Sequence, residues 1–263
     1  MTASKLVRKP GHDLVSGIIY GPVQSRRLGW SLGINWFAPL TKVCNFDCVY
    51  CQLGRTTRRP IRTDFVTVDA FQTVIEQKFK TFRDRNQPIH VITISGNGEP
   101  LLHPHLHELV NILLDARNRY LPDAKTWILT NGTRLDRSEI VNALNRLDER
   151  AIKLDGINDW LVHVDQPLYG FSLKKLLNGL SMLKDYHLQV MLLHGIENNA
   201  SPRALEAWCA FVLKHRLHPK TIQLYTVDRY PAYPNVTPLS NTELEKAAAF
   251  LRERLPFPID VFV

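Results

Sequence analysis

Three of the four cysteines in this 263-residue chain lie between positions 44 and 51. Cys44, Cys48 and Cys51 have the spacing C-x3-C-x2-C, so their thiolates can converge on one metal centre. Structural zinc takes four ligands, whereas an iron–sulfur cluster held by three cysteines keeps one iron open to a further ligand. The spacing favours a cluster, and zinc completed by a histidine or cysteines without a metal remain alternatives. The fourth cysteine, Cys209, lies among apolar residues of a predicted helix and is interpreted as buried and structural.

The segments that must position these cysteines alternate in type along the chain. Six short apolar runs are typical of covered strands, and six stretches between them have helical spacing. This alternation implies right-handed βαβ units and a parallel sheet, with too few units for the eight-stranded barrel. We therefore predict an α/β fold, a partial (β/α)6 barrel with its site at the carboxyl ends of the strands. The predicted strands cover 31–35, 89–95, 126–130, 151–154, 189–194 and 221–225, and the predicted helices cover 68–83, 105–119, 138–147, 173–186, 202–215 and 241–255.

The first thirty residues differ from the rest because they are rich in Gly, Pro and Arg. We predict an irregular leader over 1–30, packed on a single domain formed by 31–263. No apolar run reaches the roughly 18–20 residues that a membrane span needs, and no secretory signal is predicted. The cysteines do not form a disulfide framework for a chain of this length, which favours a reducing, cytoplasmic location.

Lysine and arginine outnumber aspartate and glutamate by 33 − 25 = 8. This balance favours an anionic partner such as RNA, although basic enzymes with small substrates are common. Arginines near the cysteines could bind phosphate or carboxylate, or could form a solvated basic face. These arginines are Arg26, Arg27, Arg55, Arg58, Arg59 and Arg62. The candidate substrate contacts are Arg26, Arg27 and Arg55, with Asp228 and Arg229 after the last predicted strand.

Two further segments suggest sites at first sight. His103, His105 and His107 are spaced by two, but Pro104 and the following helical period place them at a helix start, where residues two apart point in different directions. We predict capping and surface roles for them, with the alternative that His103, which follows the Gly-Glu-Pro turn, faces the site. The aromatic and proline-rich segment 230–234 is interpreted either as a lid over the barrel mouth or as a rigid connection.

An aromatic residue, Tyr50, stands directly before the last clustered cysteine, and C-x3-C-x-aromatic-C resembles the signature of the radical S-adenosylmethionine (SAM) superfamily. Ser95-Gly96-Asn97-Gly98-Glu99-Pro100, at the end of the next predicted strand, resembles the Gly-Gly-Glu-Pro motif of that family. The resemblance covers nearly the whole chain, since six βα units fit the partial barrel of the radical SAM type. The stretches YGPVQSRRLGWSLGINWF, CQLGRT and IQLYTVDR also resemble small Fe–S oxidoreductases related to the enzyme that makes the tricyclic wyosine base of tRNA.

The resemblance implies a [4Fe–4S] cluster on the three cysteines, with SAM chelating the open iron. A one-electron donor of the flavodoxin or ferredoxin type would reduce the cluster, and cleavage of SAM would give a 5′-deoxyadenosyl radical that takes a hydrogen from the substrate. Lys153 is implied as a contact of the SAM carboxylate and Asp155 as a contact of its ribose. The full set implied in cofactor binding is Tyr50, Gly96, Asn97, Gly98, Glu99, Asn131, Lys153, Asp155, His194, Asn198, Tyr225 and Val227.

The substrate is left open by these residues. Wyosine-forming enzymes hold a second cluster through additional upstream cysteines, and here no cysteine precedes Cys44. RNA modification of another kind therefore remains one interpretation, and modification of a peptide or protein, including formation of a glycyl radical on a partner, is the alternative. A non-catalytic zinc-binding RNA module is the rival of another class, but it needs a nearby fourth ligand, and no histidine lies between Asp13 and Gln87.

Overall fold

The computed structural model describes residues 14–25, 28–195, 198–229, 231 and 233–263. Its strands are β1 (Ile19–Ser25), β2 (Gly29–Asn35), β3 (Val91–Ser95), β4 (Lys125–Thr130), β5 (Glu149–Lys153), β6 (His187–His194), β7 (Thr221–Thr226), β8 (Thr237–Pro238) and β9 (Ile259–Phe262). They form one curled sheet in the order β1-β2-β3-β4-β5-β6-β7-β9, with β8 paired to β6. The strands from β2 to β7, and β9, are parallel, whereas β1 is antiparallel to β2.

Each parallel strand from β2 to β7 is followed by one helix, so the predicted partial barrel of six βα units is confirmed. The helices are α1 (Val68–Asp84), α2 (Leu106–Tyr120), α3 (Ser138–Leu144), α4 (Leu173–Leu180), α5 (Pro202–Lys214) and α6 (Asn241–Arg252). Every predicted strand and helix overlaps one of these elements. The helices α3 and α4 end earlier than predicted, because turns follow them.

The predicted irregular leader is partly wrong, since β1 pairs with β2 over Ile19–Ser25. Gly21 and Pro22 are untypical of strands, so the sequence pattern did not predict this strand. The pairing register shifts between Tyr20 and Val23. Proline is tolerated because β1 lies at the edge of the sheet, where one side of the strand needs no partner. The short strand β9, at the other edge, was also not predicted.

The two faces of the sheet have different surroundings. Residues such as Ile34, Ile94 and Leu224 belong to the hydrophobic core, together with the buried faces of the helices. The alternate residues face the concave side, which we call the lumen, and several of them are polar because they need not pack against helices. Ser31 Oγ lies 2.8 Å from Thr93 Oγ1, and Gln189 Nε2 donates to Gln223 Oε1 at 3.0 Å.

At the amino ends of the strands, a compact group of side chains closes the lumen. Trp127 stacks on His187 with ring centroids 4.9 Å apart, and His187 Nε2 lies 3.0 Å from Glu149 Oε2. Lys220 Nζ donates to Glu149 Oε1 at 2.6 Å. The lumen therefore contains polar side chains together with a small apolar cluster formed by Val91, Trp127 and Ala151. Within the described ranges, no helix combines the length and apolar character needed to cross a bilayer.

Candidate active site

The three clustered cysteines lie on one loop between β2 and α1, at the carboxyl edge of the sheet. All three thiols are free of disulfides; Cys48 is buried, whereas Cys44 and Cys51 are half-buried. The loop turns sharply, because Cys51 N donates to Cys48 O at 3.0 Å, and Phe46 N donates to Cys44 Sγ at 3.4 Å. We call residues 42–56 the cysteine loop.

Burial dominates the chemistry of these thiols. It raises the pKa of Cys44 to about 12, with the charges of Glu99 and Cys51 adding to the effect. Burial also raises the pKa of Cys48 well above its usual value, while Lys153 acts in the opposite direction and Asp165, Cys44 and Cys51 add to the rise. The thiols are thus close enough for each charge to act on the others. Cysteines bind iron as thiolates, so binding of a cluster to these three cysteines would release their protons.

The turn after β3 packs directly on the cysteine loop. Val43 N donates to Asn97 O at 2.8 Å, and Glu99 N donates to Val43 O at 2.8 Å. Gly98 has φ +155°, and a Cβ on it would meet Val43 O at 1.7 Å. Only glycine permits this approach, because any other side chain would collide with backbone. The glycine of the motif therefore holds two loops together.

Glu99 connects the ends of β3 and β4. Its carboxylate accepts hydrogen bonds from Leu101 N at 2.9 Å, Thr130 Oγ1 at 2.5 Å and Asn131 N at 2.7 Å. Burial raises the pKa of Glu99 to about 7, although the hydrogen bonds act to lower it. The Asn97 side chain points elsewhere, since it exchanges hydrogen bonds of 2.8 Å with the backbone of Val15.

Asn131 also serves the cysteine loop. Its Nδ2 donates to Asn45 Oδ1 at 3.0 Å, and Asn45 Nδ2 in turn donates to Thr133 Oγ1 at 2.8 Å. These amides fasten the cysteine loop to the segment after β4.

Lys153, Asp155 and Tyr50 converge beside Cys48. The Tyr50 hydroxyl donates to Asp155 Oδ2 and accepts from Lys153 Nζ. Lys153 Nζ lies 3.4 Å from Asp155 Oδ2 and 4.4 Å from the centre of the Tyr50 ring. The Asp155 side chain is fully buried, so Lys153 and Asp155 do not form a surface ion pair. Asp155 Oδ1 accepts a hydrogen bond from Met191 N at 2.8 Å, which orients the carboxylate.

The segment 164–168, which we call the clasp, was not predicted as part of the site. Three of its backbone groups pair with alternate residues of the cysteine loop: Val49 N donates to Val164 O at 2.9 Å, Asp47 N to Gln166 O at 3.0 Å, and Leu168 N to Asn45 O at 2.9 Å. The clasp is far from the cysteine loop in the sequence, so its pairing with that loop is visible only in the folded chain.

The clasp brings Asp165 to the cysteines. Its side chain is completely buried, and Cys48 Sγ lies 3.8 Å from its Oδ1. Burial, the charge of Asp155 and a side-chain hydrogen bond with Asp155 raise the pKa of Asp165 well above its usual range. Asp165 and Asp155 thus form a buried pair of carboxyl groups beside Cys48. The sequence signal was only an acidic residue between Val164 and Gln166.

The two predicted residues at and after the end of β6, His194 and Asn198, make only peripheral contacts. His194 Nε2 lies 3.1 Å from Glu243 Oε1, at the start of α6, and Asn198 Oδ1 accepts a hydrogen bond from Ala200 N at 3.0 Å within its own turn. The neighbouring Asn199 is the buried one. Its Nδ2 donates to Asp155 O at 2.8 Å and to Met191 O at 2.7 Å, and its Oδ1 accepts from Leu193 N at 2.9 Å. Asn199 therefore supports Asp155, and the cofactor roles of His194 and Asn198 stay predictions.

Tyr225 and Val227, at the end of β7, meet the cysteine loop, and their cofactor role stays a prediction. They pack in an apolar cluster with Phe46, Tyr50 and Met191. This cluster closes one side of the site against water.

The structure describes three of the five candidate substrate contacts, Arg55, Asp228 and Arg229. Arg26 and Arg27 lie outside the described residues. Arg55 Nε is 3.6 Å from Asp47 Oδ2. Asp228 and Arg229 are exposed and engaged with neighbours. Burial raises the pKa of Tyr20, whereas its hydrogen bond with Ser95 and the Arg229 charge act to lower it. Arg229 thus lies near the lumen side of β1.

The segment after Arg229 reaches the cysteine loop. Tyr233 N donates to Val49 O at 3.1 Å, and the Tyr233 hydroxyl donates to Asp47 Oδ2 at 2.9 Å. Residues 230 and 232 of the predicted lid lie outside the described ranges.

Two side chains outside the site have structural roles. His103 is buried against Trp36 and Phe65, with Nε2 3.0 Å from Val66 O and Nδ1 accepting from His105 N at 3.1 Å. The predicted surface role is therefore wrong for His103, because its ring fills the space between these aromatic residues. Cys209 is buried in α5, as predicted, and burial raises its pKa to about 11.

A family model described as the radical SAM superfamily matches residues 38–206. The chain belongs to this superfamily. Over 239 residues it is 33% identical to a UPF0026 protein of Helicobacter pylori, covering 89% of this chain and 73% of the relative. Over 132 residues it is 29% identical to the dual-specificity RNA methyltransferase RlmN of Marinobacter nauticus, covering 48% of this chain and 33% of the relative. The resemblance to wyosine-forming enzymes stays a prediction.

Solved structures share the radical SAM fold. A mutant of spore photoproduct lyase has a TM-score of 0.60 at 12% identity, and the match covers 91% of this chain and 78% of the lyase. SuiB of Streptococcus suis, bound to S-adenosylmethionine, has a TM-score of 0.57 at 12% identity, and the match covers 85% of this chain and 49% of SuiB. Radical SAM proteins are enzymes that use a [4Fe–4S] cluster and SAM, so the predicted enzyme class and cofactors are confirmed.

The side chains present fit these cofactors. Three cysteines on one loop supply the thiolate ligands that iron–sulfur clusters use. Lys153 supplies a cation beside one of these ligands, Cys48.

Proposed function

We propose that this radical SAM enzyme cleaves SAM reductively at a cluster held by Cys44, Cys48 and Cys51 and acts on a carbon–hydrogen bond of a substrate placed in the lumen. The observation that carries this proposal is the convergence of Lys153, Asp155 and Tyr50 on Cys48, at the top of the lumen. When bound, the cluster and SAM supply the bond cleavage and a 5′-deoxyadenosyl radical that removes a hydrogen atom from the substrate.

The residues of the chain would bind and orient these cofactors. Lys153 would hold the SAM carboxylate, because its ammonium group lies 3.7 Å from Cys48 Sγ. Asp155 would accept a hydrogen bond from the ribose, since Met191 and Asn199 hold it in one orientation. The glycines at 96 and 98 let the turn after β3 pack on Asn35 and Val43, which fixes the turn that would receive the amino group.

The apolar cluster around Tyr50 would exclude water from the reacting atoms. Val164, Met191 and Val227 are all buried and pack together with the cysteine loop. A dry site protects a reactive species from side reactions.

The test is anaerobic purification followed by measurement of iron, sulfide and 5′-deoxyadenosine formed under a strong reductant. We expect a brown protein with about four irons per chain that cleaves SAM. Cys44→Ala, Cys48→Ala and Cys51→Ala should each abolish the cluster, whereas Cys209→Ala, the matched control, should retain it. A colourless wild-type protein with one tightly held zinc would contradict the proposal.

For the substrate we propose RNA. The net positive charge of 8 and the similarity to an RNA methyltransferase over 48% of the chain support this class. Copurifying RNA should be released by raising salt, because phosphate contacts depend on ionic strength. A protein that purifies without RNA and modifies a peptide under the reducing conditions of the SAM cleavage assay would favour the alternative of peptide or protein modification.

A further inference from the structure

The ring of Tyr20 lies flat against one wall of the lumen. Tyr20 of β1 pairs directly with Gly33 of β2, and directly paired residues have their side chains on the same face of a sheet. Ile34, the neighbour of Gly33, belongs to the core on the helix side, so Gly33 and Tyr20 face the lumen. A Cβ on Gly33 would lie 2.1, 2.2 and 2.5 Å from Cζ, Cε2 and Cε1 of Tyr20, which places one face of the ring on the glycine.

This wall needs a glycine because of the ring. The φ of Gly33 is not positive, so its backbone conformation is open to other residues, and a side chain at this position would first meet the Tyr20 ring. Tyr20 and Gly33 both belong to the stretch YGPVQSRRLGWSLGINWF, and neither has a role in the proposed cofactor site. The two residues therefore form one unit, an aromatic ring with a glycine behind it.

The hydroxyl of Tyr20 lies at the cofactor end of the lumen. It is 2.5 Å from Ser95 Oγ, and Ser95 is the last residue of β3, directly before the Gly96–Glu99 turn. The charge of Arg229, which follows β7, also acts on this hydroxyl. Five strands separate β1 from β7 in the sheet, so Arg229 brings a positive charge across the mouth of the barrel to Tyr20.

Exposure differs between two levels of the lumen. We call the level of Tyr20 the upper lumen, and the side chains that face it are half-buried and retain exposed surface: Tyr20, Ser95, Leu129, Lys153 and Tyr225. Two positions earlier on β2, β3 and β7, the side chains of Ser31, Thr93 and Gln223 are buried. The space open to a substrate is therefore shallow. Because Gly33 covers one face of the Tyr20 ring, the exposed part of the ring faces this space.

We propose that the exposed face of Tyr20 is the platform on which the substrate base stacks, a single RNA base turned out of its strand into the upper lumen. The inference rests on the proposed function and names the part of the substrate that the lumen receives. Enzymes that act on a base take it out of the stack, and they hold it by stacking on aromatic side chains and by hydrogen bonds to its edge. The hydroxyls of Tyr20 and Ser95 offer such hydrogen bonds.

The surroundings of the platform fit a nucleotide. Every base has a flat π face, so it can stack on a ring in a shallow space. Its phosphate would remain at the mouth of the barrel, where the charge of Arg229 is favourable. The Tyr20 ring is already held by Gly33 and Ser95, so little side-chain freedom is lost when a base stacks on it.

The test measures the binding of four probes, the 5′-monophosphates of adenosine, guanosine, cytidine and uridine, by equilibrium dialysis. Ribose 5-phosphate, which has no base, is the control ligand. The anaerobic holoenzyme is saturated with SAM and receives no reductant, so that a probe does not occupy the adenosine site of the cofactor.

Three variants change the platform in different ways. Tyr20→Leu removes the ring, Tyr20→Phe keeps the ring without its hydroxyl, and Gly33→Ala displaces the ring. Tyr120→Leu is the matched control, because Tyr120 ends α2 and its ring centre lies 5.2 and 5.6 Å from the guanidinium groups of Arg83 and Arg119, outside the lumen. Iron content and the urea midpoint show whether each variant is folded.

We expect the wild type to bind at least one nucleotide more tightly than ribose 5-phosphate. Tyr20→Leu should weaken this binding about 5- to 150-fold, the range that corresponds to the loss of one base–aromatic stack. Gly33→Ala should weaken it as well, whereas Tyr20→Phe and Tyr120→Leu should stay near the wild type. If Tyr20→Leu does not fold, the difference between Gly33→Ala and Tyr20→Phe carries the same comparison.

Equal nucleotide affinities in Tyr20→Leu and Tyr120→Leu would overturn the proposal. Equal losses in Tyr20→Phe and Tyr20→Leu would also overturn it, as would a Tyr20→Leu variant that loses affinity for SAM and not for nucleotides. A wild type that cleaves SAM but binds no nucleotide at millimolar concentration would contradict the platform and leave the proposed cofactor chemistry intact. A wild type that binds nucleotides through Tyr20 but holds no cluster would support the platform and contradict the proposed function.

Discussion

The ammonium nitrogen of Lys153 lies 3.7 Å from Sγ of Cys48. The contact joins the last residue of β5 to the middle of the cysteine loop, 105 positions earlier in the chain. Of the neighbouring charges, Lys153 is the one that most lowers the pKa of Cys48, against the larger effect of burial. Lys153 therefore connects a candidate cluster ligand with the place where the carboxylate of SAM would bind.

Replacing this lysine should weaken SAM binding more than it weakens the fold. Lys153→Met keeps the length of the side chain but removes its charge. A hydrogen bond to a charged group contributes about 1.5–3 kcal/mol, so we expect SAM affinity to fall by at least about tenfold in equilibrium binding. Lys220→Met, which removes a lysine paired with Glu149 at the opposite end of the barrel, is the control and should bind SAM normally. Equal affinities in both variants would show that Lys153 does not contact the cofactor.

Gly98→Ala should disrupt the cysteine loop. The new Cβ would overlap Val43 O, whereas at Gly170, which also has a positive φ, a Cβ would meet nothing within 4 Å. Gly170→Ala thus isolates the backbone strain, about 1 kcal/mol, from the collision. We expect Gly98→Ala to lose most of its iron and Gly170→Ala to retain it, as measured by iron content and visible absorbance. Full iron content in Gly98→Ala would show that close packing of the turn after β3 on the cysteine loop is not needed for the cluster to bind.

The neighbours Asn198 and Asn199 should respond differently to alanine. Asn199 makes three buried hydrogen bonds, and each group left without a partner costs about 1–3 kcal/mol. Asn199→Ala should therefore lower both the free energy of unfolding and SAM affinity, because Asp155 loses its support. Asn198→Ala should change the urea midpoint little, since that side chain is exposed and caps only its own turn. A loss of SAM binding confined to Asn198→Ala would instead assign the cofactor contact to Asn198.

His103 should make the fold sensitive to mild acid. Burial lowers its pKa from 6.5 to about 4 in the folded chain, so the unfolded chain binds a proton more readily between these values. The stabilisation is complete above about pH 6.5, decreases as the pH falls, and is lost as the pH passes through about 4. His103→Gln, which cannot titrate, should reduce this loss of urea stability between about pH 7 and pH 5. His107→Gln, at an exposed position, should follow the wild type; a His103→Gln profile parallel to the wild type would contradict the assignment.

Local patterns were sufficient for the frame and for the motifs. Apolar periodicity is a property of consecutive residues, so all six βα units could be predicted from sequence. The cysteine motif and the glycine motif are likewise local features of the sequence. The spacing of Cys44, Cys48 and Cys51 lets a short loop bring its thiols together, and the glycine at 98 lets another backbone segment approach closely. Edge strand β1 escaped prediction because Gly21 and Pro22 interrupt its pattern and its partner lies beyond a turn.

Tertiary contacts decided the rest of the site. The sequence by itself determined the partial barrel, the cysteine loop and the edge of the sheet at which that loop lies, since these follow from periodicity and spacing. Only the folded chain placed Asp165 beside Cys48, chose Asn199 over Asn198 as the support of Asp155, and turned His194 toward Glu243. These three contacts depend on which side of a turn becomes buried and on which distant backbone groups need hydrogen-bond partners. Neither can be predicted from residues that are adjacent in the sequence.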